Sequence, residues 1–135
     1  MINRLTETLN FQAEALVLRS ERQRLIASNI ANADTPGYVA RDMDFASALR
    51  QASGQAATPG AMNATARGHL QAPAGARAFA NLRYAMPSQT NLDRNTVDMD
   101  RERASFADNS VKYEATLRFI NSSVRTMLDA IKGQS

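Results

Sequence analysis

The chain of 135 residues carries 16 Lys and Arg against 13 Asp and Glu, a net charge of +3, with 44% hydrophobic and only 6% aromatic residues, no Trp and no Cys. Disulfides and thiolate metal sites are excluded, and so modest a positive balance argues against a polyanion partner despite a pI of 9.8. Alanine in the middle inflates the hydrophobic share, the mean hydropathy is −0.39 and the core-forming residues sit at the two ends, which points to an elongated or partly disordered chain without a deep enzyme pocket.

The opening MINRLTETLNFQAEALVLRSERQR holds Arg4 and Glu7 and no unbroken apolar run, so neither a cleaved signal peptide nor a membrane span is expected in it. Residues 2–31 place Ile2, Leu5, Leu9, Leu16, Ile26 and Ile30 at steps that mostly sum to threes and fours, with Leu18 and Leu25 on a flanking stripe. That spacing predicts an amphipathic helix of about 45 Å, which wants a partner along its length.

The helix then meets SNIANADTPGYVARDMDF. Pro36 lacks an amide hydrogen and forces Thr35 out of helical space, while Gly37 accepts the positive φ of a type II turn, so Thr35-Pro36-Gly37-Tyr38 reads as a sharp turn. The helix should end near Ala31 to Ala33, where Asn29, Asn32 and Asp34 can satisfy unpaired backbone groups. Beyond the turn, Val39, Arg41, Met43 and Phe45 alternate with Ala40, Asp42 and Asp44, which predicts an extended segment showing two carboxylates on one face.

Residues 46–92 are rich in Ala, Gly, Gln, Thr and Pro and show no sustained period, so loop or disorder is expected, with a short strand or hairpin within Arg77 to Met86. The C-terminal segment is regular again. Met99, Phe106, Tyr113, Ile120 and Met127 recur every seven residues, and Leu117, Val124 and Ile131 follow members of that series by four, an a/d seam interrupted by Arg103 and Ser110. Lys132 and Gly133 supply the stop.

Asn29-Ile30-Ala31-Asn32-Ala33-Asp34-Thr35-Pro36-Gly37-Tyr38 closely resembles the N-terminal motif of bacterial flagellar rod and hook proteins, Asn-x-Ala-Asn-x-x-Thr-x-Gly-Tyr. Val39 to Phe45 is most similar to the proximal-rod members. Asn95-Thr96-Val97-Asp98 resembles the opening of that family's C-terminal helix, Asn109-Ser110 with Tyr113 through Gly133 the rest of it, and Gly68-His69-Leu70 a short element of the middle. These pieces cover the first 45 and last 40 or so residues in order.

The resemblance implies a mainly α fold in which long N- and C-terminal helices (1–33 and 96–135) pair as an elongated coiled coil around a loop-rich middle (34–95) with little β structure. It implies a structural subunit of the basal-body proximal rod, on the periplasmic side of the inner membrane, polymerising into the drive shaft between membrane ring and distal rod and hook. Export would run through the flagellar type III secretion system. Partners would be other rod proteins, the rod-base junction protein, the membrane (MS) ring and the export gate, in a homo- and hetero-oligomeric tube. Asn29, Ala31, Asn32, Thr35, Pro36, Gly37 and Tyr38 would carry the motif. Leu5, Leu9, Leu16, Ile26, Ile30, Phe106, Tyr113, Leu117, Ile120, Val124, Met127 and Ile131 would carry helix packing and assembly.

Other chemistries fare worse. Asp42 with Asp44, and Asp98 with Asp100 and Glu102, lack the glycine placement of a calcium loop, and acids in a first helical turn are favoured by the helix dipole. His69 is the one histidine and cannot anchor a zinc site or a triad. Arg19, Arg22 and Arg24 interleave with Glu14 and Glu21, which suits a solvated face or intersubunit ion pairs better than nucleic acid or a membrane surface. No enzyme, cofactor, nucleic acid or small-molecule substrate is expected. A coiled-coil adaptor or a type III secretion substrate outside the flagellum is the alternative, and a cell-wall enzyme has no carboxylate pair to support it.

Overall fold

The computed structural model describes residues 2–54, 82–84, 92 and 94–133. Its elements in chain order are α1 (Ile2–Ala31), β1 (Arg41–Met43), α2 (Phe45–Ala52), β2 (Leu82–Tyr84) and α3 (Met99–Lys132). At 1.5 Å rise per residue the 30-residue α1 and the 34-residue α3 reach roughly 45 and 51 Å.

The two long helices lie side by side and antiparallel. Arg19 meets Thr116 and Gln23 meets Ser110, so the chain runs up one helix and down the other. The expected mainly α architecture, with long terminal helices packed together, is the one found.

α3 opens on Asp98, whose carboxylate accepts from the Arg101 amide at 3.2 Å, with Asp100 and Glu102 adding negative charge to the first turn. It closes with Lys132 in the last turn and the Gly133 amide donating to the Asp129 carbonyl at 2.9 Å.

α2 falls in a stretch expected to be loop. Asp44 caps it, accepting from the Ser47 amide (3.2 Å) and hydroxyl (2.9 Å), and Gly54 at φ 70° lies just past its end. Asp44 is therefore a helix cap, and the extended segment shrinks to the three residues of β1. Ala40 and Met43 are buried there, which breaks the expected alternation.

β1 and β2 pair antiparallel, Arg41 opposite Tyr84 and Met43 opposite Leu82. A strand within 77–86 was expected, but its partner is some forty residues earlier and not a local hairpin. The rest of that stretch and Gly68-His69-Leu70 lie outside the described residues.

The hydrophobic cluster sits on one side of α1. Leu18, Leu25, Met43 and Ala48 are buried together, with Phe45, Leu49 and Ala52 packed against them. α1 is thus the shared wall between α2 with β1 and α3, and its second seam, toward α3, is of a different character.

Candidate assembly surface and the knot behind it

The stop signals after α1 form one hydrogen-bonded knot with the approach to α3. α1 ends where the Asn32 amide bonds back to the Ser28 and Asn29 carbonyls, and Asn32 Nδ2 donates to the Ser28 carbonyl at 2.8 Å. The turn closes with the Tyr38 amide donating to the Thr35 carbonyl at 3.2 Å, and Gly37 takes φ 71°. A Cβ on Gly37 would meet nothing within 4 Å, so the glycine answers the backbone angle alone.

Asn29, 2% exposed, acts as a substitute strand neighbour for Arg41. Its Nδ2 donates to the Arg41 carbonyl (2.7 Å), and its Oδ1 accepts from the Arg41 amide (3.1 Å) and the Tyr38 hydroxyl (3.2 Å).

Asn95 completes the knot from the far side of the chain. Its Nδ2 lies 3.0, 2.8 and 2.8 Å from the carbonyls of Asn32, Ala33 and Thr35, just past the end of α1, of which those of Asn32 and Thr35 also accept the turn amides of Thr35 and Tyr38. Its Oδ1 accepts from the Val97 amide at 2.8 Å. Beside it, Thr96 accepts from the Ala40 amide (2.8 Å) and donates its own amide to the Tyr38 carbonyl (3.1 Å). Arg94, at φ 54°, takes the left-handed backbone that delivers Asn95.

Of the motif residues, Asn29 is buried, Asn32 and Tyr38 are half-buried, and Ala31, Thr35, Pro36 and Gly37 are exposed on the outside of the knot. Their arrangement is a joint, with a surface of small groups over it.

Charged residues crowd this end. Burial pushes the Glu102 carboxyl above its ordinary range, a hydrogen bond with Asn29 opposes that, and the nearby Asp42 charge adds to it. Asp42 itself pairs with Arg22 at 3.7 Å. Arg19 spans the molecule, its guanidinium stacked 4.5 Å over the Phe45 ring on one side and its Nε donating to Thr116 Oγ1 at 3.2 Å on the other. Burial and the neighbouring Arg22 lower its pKa. Arg19 and Arg22 are thus engaged within the chain, whereas Arg24, paired with Glu21, keeps the exposure that a solvated face or intersubunit ion pairs would need. Among the described residues no three His, Cys, Asp or Glu side chains gather as metal ligands. No described helix is long and apolar enough to cross a membrane.

The seam between α1 and α3 is largely polar at its centre. Asn109, 1% exposed, donates to the Arg19 carbonyl (2.9 Å) and to Gln23 Oε1 (2.6 Å), and Gln23 Nε2 donates to Ser110 Oγ (2.9 Å). Thr116 is buried one heptad further on.

Among the expected packing residues, Ile26 is buried, and Leu5, Leu9, Leu16, Ile30, Tyr113, Ile120 and Met127 are half-buried. Phe106, Leu117, Val124 and Ile131 are exposed, Ile131 by 66%, and they are joined by Phe119 and Leu128, which heptad counting did not single out. On α1, Val17 and Phe11 are exposed as well. Phe106, Leu117, Val124, Leu128 and Ile131 therefore form one face of large apolar side chains along α3 that is open to a partner, with Phe119 on the opposite side of the helix.

The chain thus combines a knotted joint carrying an exposed Thr-Pro-Gly turn with a helix pair that has an open apolar face, and sequence comparison places it among the flagellar basal body rod proteins. The family model described as "Flagella basal body rod protein" matches residues 9–38, from within α1 through the turn. Three full-length relatives carry the name "Flagellar basal body rod protein FlgB". That of Proteus mirabilis (strain HI4320) is 48% identical over 98% of both chains, and that of Salmonella typhimurium (strain LT2) 48% identical over 98% of this chain and 99% of its own. That of Escherichia coli (strain K12) is 46% identical over 98% of both. The chain belongs to the FlgB family of flagellar basal body rod proteins.

Proposed function

We propose that the chain is a structural, non-enzymatic subunit of the proximal rod of the flagellar basal body, polymerising through its terminal helices into the drive shaft between the membrane ring and the distal rod and hook. One observation carries this reading. Leu117, Val124, Leu128 and Ile131, with Phe106, are exposed on one face of α3, although burying them would be worth roughly 1 kcal/mol each for half-exposed side chains. Such gains are small singly. Summed over the neighbours of a closed tube, they hold a stiff shaft.

The family and the names of its full-length relatives support the place in the basal body. Other rod proteins, the rod-base junction protein, the membrane ring and the export gate are the partners of this reading. Export through the flagellar type III channel belongs to it, and the cysteine-free sequence is compatible with that route.

The test is Leu117→Glu with Val124→Glu, expressed in the source bacterium in place of its own copy. Swimming should be lost while the purified variant keeps its helicity, and electron cryomicroscopy should show basal bodies stopped at the rod. Normal swimming, or the parent chain missing from isolated basal bodies, refutes the proposal and favours an adaptor outside the flagellum.

A further inference from the structure

Two seams are available to α3. One combines Tyr113, Ile120 and Met127 with Asn109, Thr116 and Ser123, and it is the one turned toward α1: Asn109 and Thr116 are buried, and the other four are half-buried. The other combines the same Tyr113, Ile120 and Met127 with Leu117, Val124 and Ile131, an ordinary apolar a/d pair of columns. Successive helical residues are about 100° apart, so a turn of roughly 50° about the helix axis exchanges the second seam for the first.

Apolar burial favours the second seam. What distinguishes the first is a set of directed bonds that the second cannot make: Asn109 to the Arg19 carbonyl and Gln23, Gln23 to Ser110, and Arg19 to Thr116. Rotation would carry the Asn109 and Thr116 side chains away from these partners. Asn109 is also an expensive residue to hold in place, because its buried Oδ1 accepts from no described group. The Asn95 joint lies before the first turn of α3 and fixes where the helix starts, whereas Asn109 and Thr116 bond to α1 one and two heptads or more further down.

We infer that Asn109, with Thr116, is a rotational pin that keeps the Leu117, Val124 and Ile131 column of α3 turned outward. Asn109 and Thr116 are positioning residues for that column. The inference holds whatever partner the column meets, and it can fail while the rod reading stands.

The sequence has no cysteine, so single thiols report rotation cleanly. Val124→Cys and Ser123→Cys are made separately in the full chain, in the parent and in the Asn109→Leu/Thr116→Val background, and alkylation rates are measured. In the parent, the thiol at 124 reacts faster than that at 123. In the unpinned background the ratio of the two rates should fall by about fivefold or more as 124 turns inward and 123 outward. An unchanged ratio overturns the inference. So does acceleration at both positions with loss of helicity, which would make the polar layer a source of stability only. Thr116→Val alone, nearly isosteric, keeps the test available where the double variant fails to fold. It should move the ratio in the same direction, and a ratio equal to the parent's overturns the inference.

Discussion

Asn95 Nδ2 lies 2.8 Å from the carbonyl of Ala33, sixty-two residues earlier in the chain, and so the residue that opens the way into α3 also finishes α1. Replacing it by Ala leaves three carbonyls at the end of α1 without that donor, at a cost of about 1–3 kcal/mol. Asn95→Ala should lower the thermal midpoint and speed amide exchange across residues 28–38. Exchange confined to residues 94–98 would contradict the joint.

Asn95→Asp tests the same contacts by charge. The carboxylate would face three carbonyls, so its folded pKa is raised above the unfolded value near 3.9. Folding then favours the protonated form, and the variant loses stability as pH rises above about 4. Thermal melts at pH 3 and pH 7 should show a larger deficit from wild type at pH 7. Equal deficits would count against the geometry.

At Gly37 the restriction is angular, since space around it is open. Gly37→Ala should cost about 1 kcal/mol, Gly37→Asn less, and Gly37→Val more than either, because β-branching fits positive φ worst. Denaturant midpoints in that order confirm the turn. In the bacterium Gly37→Val, or deletion of residues 29–38, should abolish swimming.

Glu102 gives the molecule a pH dependence of its own. Its folded pKa is raised, so the folded state holds the proton more tightly and stability falls as pH rises through that window. Glu102→Gln should therefore raise the thermal midpoint at pH 7 and change little at pH 3. Asp108 has the opposite sign: Lys112 lowers its pKa, and the pair's small, salt-screened benefit fades in acid. A Glu102→Gln midpoint below wild type at pH 7 would be the contrary result.

Arg19→Lys keeps the charge but cannot both stack on Phe45 and offer Nε to Thr116. A loss of about 1 kcal/mol is expected, and a double-mutant cycle with Phe45→Leu should return a coupling of roughly 0.5–1 kcal/mol. Additivity within error would show that the stacking contributes nothing.

Both long helices, their ends and the Thr35 to Tyr38 turn were legible because apolar spacing, Pro, Gly and the capping acids act locally. α2 was missed although Asp44, Ser47 and Gly54 bracket it, because eight alanine-rich residues are too few to establish a period. The role of Asn95 was beyond reach, since its partners are backbone carbonyls that leave no trace in side-chain pattern. Heptad counting ranks residues by hydrophobicity, so it favoured Leu117 and Val124 for the seam and passed over Asn109 and Thr116, whose burial depends on Arg19 and Gln23 across the gap.

The bonds from Asn95 fall on main-chain oxygens, which every amino acid supplies. One half of the joint is therefore written in a single letter at position 95, whereas a position such as 33, which offers only its carbonyl, accepts wide replacement without loosening it, provided the turn is kept. Substitution across this joint should be asymmetric, strict on the strand of chain that gives the amide and permissive on the one that receives it.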